Sequence, residues 1–250
     1  MDMELDVVST EEWAKTLLHL CFCMVLGWTN SIMMFRFRIF ATMMVGNTIL
    51  MGVSLACQEG LVVTPDEIKL CPAEFPPRYY AELILLFVCG AFFHGLMEKA
   101  HGWTPRAFAP MIVLVIVVEE IRERCFGSSS TSAHDDKYYA YLLAPIFGVT
   151  GSISMKCGLQ GVPWAASGNM LSAAYHFAHY LQGFAAEDLK KALIPFGMWV
   201  FFFIGVFLGN SHHSRFSLIC ISVALALLFL AMSVVLPKKK RQLGPAFADP

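Results

Sequence analysis

The segment Phe40–Ala56, FATMMVGNTILMGVSLA, decides how the rest of the chain reads. It is an apolar run with Gly46-Asn47-Thr48 at its middle. A related run, Val162–Ala178, VPWAASGNMLSAAYHFA, carries Gly168-Asn169-Met170 at the matching place, 122 residues on. Upstream of each lies a second polar break, Gly27-Trp28-Thr29-Asn30-Ser31 and Gly148-Val149-Thr150-Gly151-Ser152, 121 residues apart. Two copies of one pattern, half a chain apart, point to an internally duplicated membrane protein.

Composition agrees. The 250 residues are 57% hydrophobic and 15% charged, and the mean hydropathy is +0.60, well above that of a soluble domain. The length accommodates roughly six to eight spans of about 20 residues each. A formal net charge of −1 gives no reason to expect nucleic acid as a partner. The expected fold is therefore an all-α integral membrane protein of two homologous halves with about four helices each. Its expected parts are an N-terminal tail (1–12), a first membrane repeat (13–126), a linker (127–137), a second membrane repeat (138–236) and a basic C-terminal tail (237–250). The acidic start, MDMELDVVSTEEWAK, lacks the basic region and cleavage site of a signal peptide, so the first span is expected to be retained.

Within those parts, helices are expected at Trp13–Phe35, Ile39–Cys57, Tyr79–Met97, Pro105–Glu123, Tyr138–Met155, Gly161–Gln182, Lys191–Asn210 and Phe216–Leu236. Pro65, Pro72, Pro76 and Pro77 keep Gln58–Arg78 from being a span. Thr48, Gly52 and Ala56 form a small-residue stripe suited to close helix packing, kept weakly as Met170, Ala174 and Ala178. The third and seventh helices correspond through Gly90–Gly95, GAFFHG, and Gly205–Gly209, GVFLG, the first copy with one extra residue.

Counting Lys and Arg by side, eight spans with an internal N-terminus place 12 inside and 6 outside. If the second and sixth helices were re-entrant, the tally becomes 10 against 8. The positive-inside rule thus favours eight spans with both termini cytoplasmic. Four spans per half make the repeats parallel, whereas three make them inverted.

GWTNS followed by FATMMVGNTILMGVSLA resembles the signature of the YoaK-like membrane proteins, a family of unknown function also grouped with novobiocin exporters. The resemblance runs from about Trp13 to Leu236. In this chain Val45 stands where a threonine usually precedes Gly-Asn, and Asn30 where an aspartate is common. That second departure removes a candidate proton or cation carrier. The resemblance implies a polytopic membrane protein with a transport or efflux role.

Asparagines in hydrocarbon need partners, because an unsatisfied amide there costs several kcal/mol by typical estimates. Duplicated transporters use broken helices near mid-membrane to bind substrate. Thr29, Asn30, Asn47, Thr48, Ser152, Ser167 and Asn169 are accordingly expected to line one polar site for a small organic solute. The competing reading makes the asparagines interhelical glue without a ligand. His94, His176 and His179 are candidates for proton coupling.

No metal site and no cofactor are expected. The eight cysteines, Cys21, Cys23, Cys57, Cys71, Cys89, Cys125, Cys157 and Cys220, have no metal-ligand spacing. Cys71 and Cys125 fall in expected loops, where a thiol is either reactive or paired. Glu119 and Glu120 read as interfacial charges, as does Lys156, and no nucleotide or Ser-His-Asp motif is present. The expected function is a secondary transporter, facilitator or exporter rather than an enzyme, with the lipid bilayer and a solute as partners and a homo-oligomer allowed. The alternatives are a membrane scaffold or assembly subunit and, more remotely, an intramembrane metal enzyme built on His94, His176 and His179.

Overall fold

Apolar runs in this chain become helices, and the breaks between them set how those helices turn. The computed structural model describes residues 10–41, 44–59, 75–101, 105–126, 133–154, 166–211 and 215–235. Among them are eight α-helices and no strand: α1 (Thr10–Phe37), α2 (Met44–Gln58), α3 (Pro77–His101), α4 (Pro105–Phe126), α5 (Ala133–Ser154), α6 (Ala166–Gly183), α7 (Ala186–Ser211) and α8 (Arg215–Val235). Three are long and apolar enough to cross a bilayer by themselves: α1, α3 and α7. Shorter apolar stretches lie in α2, α4, α5 and α8. Large apolar side chains such as Phe92, Phe203, Phe207 and Val234 are exposed along the helices, as lipid-facing residues are. The chain is an all-helical membrane protein.

Most expected boundaries hold to within a few residues; four helix starts differ by five, those of the sixth and seventh helices falling at Ala166 and Ala186 rather than Gly161 and Lys191. The second helix starts at Met44 rather than Ile39 and has 15 residues, about 22 Å of rise against a hydrocarbon core of about 30 Å. The fifth helix begins at Ala133, inside the expected linker. Residues 1–9, the linker residues 127–132, most of the Gln58–Arg78 loop, the segment 155–165 and residues 236–250 lie outside the described residues; Thr10–Glu12 of the expected tail belong to α1.

The helix contacts come in matched pairs. The tightest are α1 with α7 and α3 with α5; then α6 packs on α7 as α2 packs on α3, and α1 meets α8 as α5 meets α4. The two remaining pairs, α4 with α8 and α1 with α5, map onto themselves when the halves are exchanged. At the closest approaches a methyl group built on Gly27 would collide with the carbonyl oxygen of Phe202, and one on Gly205 with that of Met24. The same holds for Gly148 with Phe87 and for Gly90 with Pro145. Residues 24 and 27 map onto 145 and 148 with an offset of 121; residues 202 and 205 map onto 87 and 90 with an offset of 115. Glycine is needed at these four positions because backbone meets backbone. The offset also removes the extra residue expected in α3: His94 is the counterpart of Gly209, and Gly95 of Asn210.

Cross-contacts also fix direction. Glu12 near the start of α1 lies 3.5 Å from Lys190 near the start of α7, and Ser31 bonds Asn210 near the ends of both, so α1 and α7 are parallel. Tyr141 donates to Glu82 at 2.6 Å, and Ser152 bonds His94, so α5 and α3 are parallel too. The backbone N–H of Arg106, which opens α4, donates to Ser233 near the end of α8, so that pair is antiparallel.

The hydroxyl of Tyr79, at the start of α3, donates to the carbonyl of Phe37, the last residue of α1. Ser54 of α2 donates to the Phe75 carbonyl at 2.7 Å, beside Tyr79. Both flanks of α2 therefore return to one end of the molecule, called here the Phe37 end. By the matching contacts, α5 finishes and α7 begins at the opposite, Glu12 end, with α6 between them.

Candidate binding cleft

The polar breaks that suggested unwound helices are satisfied in other ways. α1 continues unbroken through Gly27–Ser31. Thr29 donates to the carbonyl of Val25 at 2.7 Å and Asn30 to that of Leu26 at 3.0 Å, both one turn back. Thr150, the counterpart of Thr29, donates to Ile146 at 2.9 Å in the same way. These back-bonds let buried hydroxyls and amides sit in an apolar helix without opening it.

Gly46 and Asn47 likewise stand in the first turn of α2 rather than at mid-helix. The Asn47 amide clasps the main chain of Phe40, accepting from its N–H and donating to its carbonyl, both at 2.8 Å. Gly46 lies under the Phe40 ring, where a Cβ would sit 2.6 Å from a ring carbon. The Gly-Asn pair thus closes the turn that leads from α1 into α2. Asn47 is buried and Thr48 exposed. Asn169, on α6, is also buried, and the side chain of Ser167 lies outside the described residues. α2 packs chiefly on α3 and α6 chiefly on α7, so Asn47 and Asn169 stand on helices held by different neighbours.

What the structure does assemble is a cleft at the Phe37 end. Asn30, Ser31, Met34 and Phe35 of α1, Phe40 of the connection, and Phe202, Val206 and Asn210 of α7 enclose about 290 Å³. Ser31 donates to Asn210 Oδ1 at 2.9 Å across its floor. α1 and α7 approach closely enough for this because Gly209 faces Ser31, where a Cβ would lie 2.5 Å from the serine's own. Phe40 joins the wall because Asn47 holds it there.

The counterpart polar pair lies toward the Glu12 end and differs chemically. There Ser152 Oγ and His94 Nδ1 share a hydrogen bond of 2.8 Å, and the Phe108 ring packs edge-on to the imidazole with centroids 4.8 Å apart. His176 and His179 are remote from it in contact terms, each packing on the exposed ring of Tyr175 within α6. Among the described residues no three His, Cys, Asp or Glu side chains gather as a metal site.

Two features had drawn no attention in the sequence. His19 of α1 is buried, and neither ring nitrogen has a hydrogen-bond partner; its only sequence signal is a histidine in an apolar run. Cys57, near the end of α2, is disulfide-bonded, whereas among the described residues Cys21, Cys23, Cys89 and Cys220 are free. The side chains of Glu119, Glu120 and Lys156 are outside the described residues.

No curated protein and no solved structure matches the chain. The features used above, from the Gly27–Ser31 break through the Gly46-Asn47 clasp to the end of α8, all fall within residues 18–235, which match the family described as "Protein of unknown function (DUF1275)"; the chain belongs to that family.

Proposed function

We propose that the protein is a secondary transporter or facilitator of a small organic solute, built as two inverted halves with six membrane crossings. The observation that carries this reading is the return of α2 to the Phe37 end, marked by the Tyr79–Phe37 hydrogen bond. A helix whose two flanks meet at one end does not cross, so α1 and α3 run in opposite directions and the repeats are inverted. Inverted repeats give a protein two related conformations that face opposite sides, which is how such folds expose one site alternately.

Orientation follows from two supports. Six crossings place 10 Lys and Arg at the Glu12 end with both termini, and 8 at the Phe37 end. The disulfide at Cys57 belongs at the Phe37 end, on the oxidising side of a membrane. Both termini are then cytoplasmic, and the cleft opens away from the cytoplasm. Release to that side is the efflux direction named for the resembling family.

The topology is tested with single cysteines at Gln58→Cys and Gly183→Cys, at the ends of α2 and α6, in oriented vesicles. Six crossings expose them to a membrane-impermeant maleimide on opposite faces, whereas eight crossings expose both on the same face. Solute flux in proteoliposomes tests transport itself. A stable co-purifying protein with no solute flux would favour the scaffold reading.

A further inference from the structure

We infer that the cleft between α1, α7 and the 38–41 connection is a binding site for an uncharged, mainly apolar solute with one hydrogen-bonding group, entered from the Phe37 end. The inference deepens the transport reading and depends on it only for what happens to the solute after binding. Three observations carry it.

The first is the lining. Met34, Phe35, Phe40, Phe202 and Val206 supply an almost wholly apolar wall, with the polar groups of Asn30, Ser31 and Asn210 set behind it; none of the described lining side chains is ionisable. A charged solute would lose its hydration there without a counter-ion, whereas a hydroxyl or amide can join the Ser31–Asn210 bond. The volume of about 290 Å³ suits a small aromatic or short-chain molecule.

The second is burial. Asn30 is 3% exposed and Ser31 7%, and both lie about 9–10 Å of helix rise inward from Phe37. Polar groups set at that depth in an apolar wall fix a ligand's orientation rather than hydrate the surface.

The third is the comparison of the two ends. Where the cleft has Asn30 and Asn210, the counterpart positions are Gly151 and Gly95. A Cβ at Gly151 would meet the Phe87 ring at 3.2 Å, whereas at the Phe37 end the counterpart ring, Phe202, lines the cleft beside Asn30. Helix packing alone is achieved there without either amide. Both amides are additions to the one end that carries the cleft.

The test uses the full chain in lipid nanodiscs with 2-naphthol as a fluorescent neutral probe and 2-naphthalenesulfonate as its charged analogue. Saturable binding of 2-naphthol, no binding of the sulfonate, and at least a tenfold loss of affinity in Asn210→Leu are expected. Val206→Trp should abolish binding by filling the cleft, and Met34→Trp does the same from the facing wall should the first variant not fold. Equal binding of the sulfonate, or unchanged binding in a folded tryptophan variant, overturns the assignment. So does binding in detergent that disappears in nanodiscs, since the cleft would then hold a lipid chain. Binding without flux in vesicles leaves the site and removes transport. Flux that persists in Val206→Trp removes the site and leaves transport.

Discussion

Replacing Gly27 by alanine puts a methyl group against the Phe202 carbonyl where α1 and α7 touch. The methyl falls roughly 1 Å inside the carbon–oxygen separation of a Cα–H···O contact, and both colliding parts are backbone, so no side chain can swing aside. Overpacking of this kind costs about 1–3 kcal/mol. The gain in helix propensity from glycine to alanine, about 1 kcal/mol, offsets part of it. The net loss is up to about 2 kcal/mol, or up to about 8 °C in Tm for a chain of this size. Gly95 is the control: it is also mid-helix, but nothing lies within 4 Å of an added Cβ. Gly95→Ala should therefore raise the transition by about 1–4 °C. Gly148→Ala, at the matching contact with Phe87, should repeat the Gly27 result, and the double variant should show the sum because the two contacts are separate. The assay is thermal unfolding of purified protein at one scan rate, read by far-UV circular dichroism. Gly27→Ala and Gly95→Ala shifting the same way by the same amount would refute the claim that backbone contact sets these positions. A large effect at Gly27 with none at Gly148 would refute the equivalence of the two contacts.

Asn47→Ala strands the N–H and carbonyl of Phe40, which the amide now satisfies, and should cost about 2–4 kcal/mol in the same unfolding assay. Asn47→Asp keeps the acceptor alone and should fall between; a neutral result for alanine would mean the clasp is dispensable. His19 is buried without a partner for either ring nitrogen, so His19→Leu should raise stability by about 1–2 kcal/mol. A fall of similar size would show that the ring does have a partner, and a rise accompanied by loss of flux would mark it as a working group in the membrane.

The duplication and the helical class were legible because they rest on spacing and hydropathy, which a sequence displays directly. Direction was not. A charge count of 12 against 6 assumed that every apolar run crosses, and nothing in FATMMVGNTILMGVSLA says that Phe40 and Ala41 stand before a helix that opens at Met44. That depends on Asn47 reaching back seven positions to Phe40, and on Tyr79 meeting Phe37 across 42 residues. Neither pairing leaves a trace in local periodicity. The candidate site shows the same limit. Thr29 and Asn30 were visible as polar residues in an apolar helix, but their back-bonds to Val25 and Leu26 are a matter of rotamer. Ser31 and Asn210 stand 179 residues apart, and only the packing of α1 on α7 makes them a pair.

The two halves differ where it matters for function. Backbone contacts at Gly27, Gly90, Gly148 and Gly205 recur in register, as they must if one packing solution is used twice. The groups beside them do not. Tyr141 and Glu82 form a polar pair between α5 and α3, while their counterparts are apolar, with the Leu20 side chain lying over Gly197. His94 answers Ser152, while Asn210 answers Ser31. Placing an imidazole toward one end and two amides toward the other gives the ends different hydrogen-bonding chemistry on a common frame. On the transport reading proposed above, a solute held by the amides at the Phe37 end would meet, among the described residues, different hydrogen-bonding groups at the other, and the asymmetry of the side chains rather than the fold would favour its release.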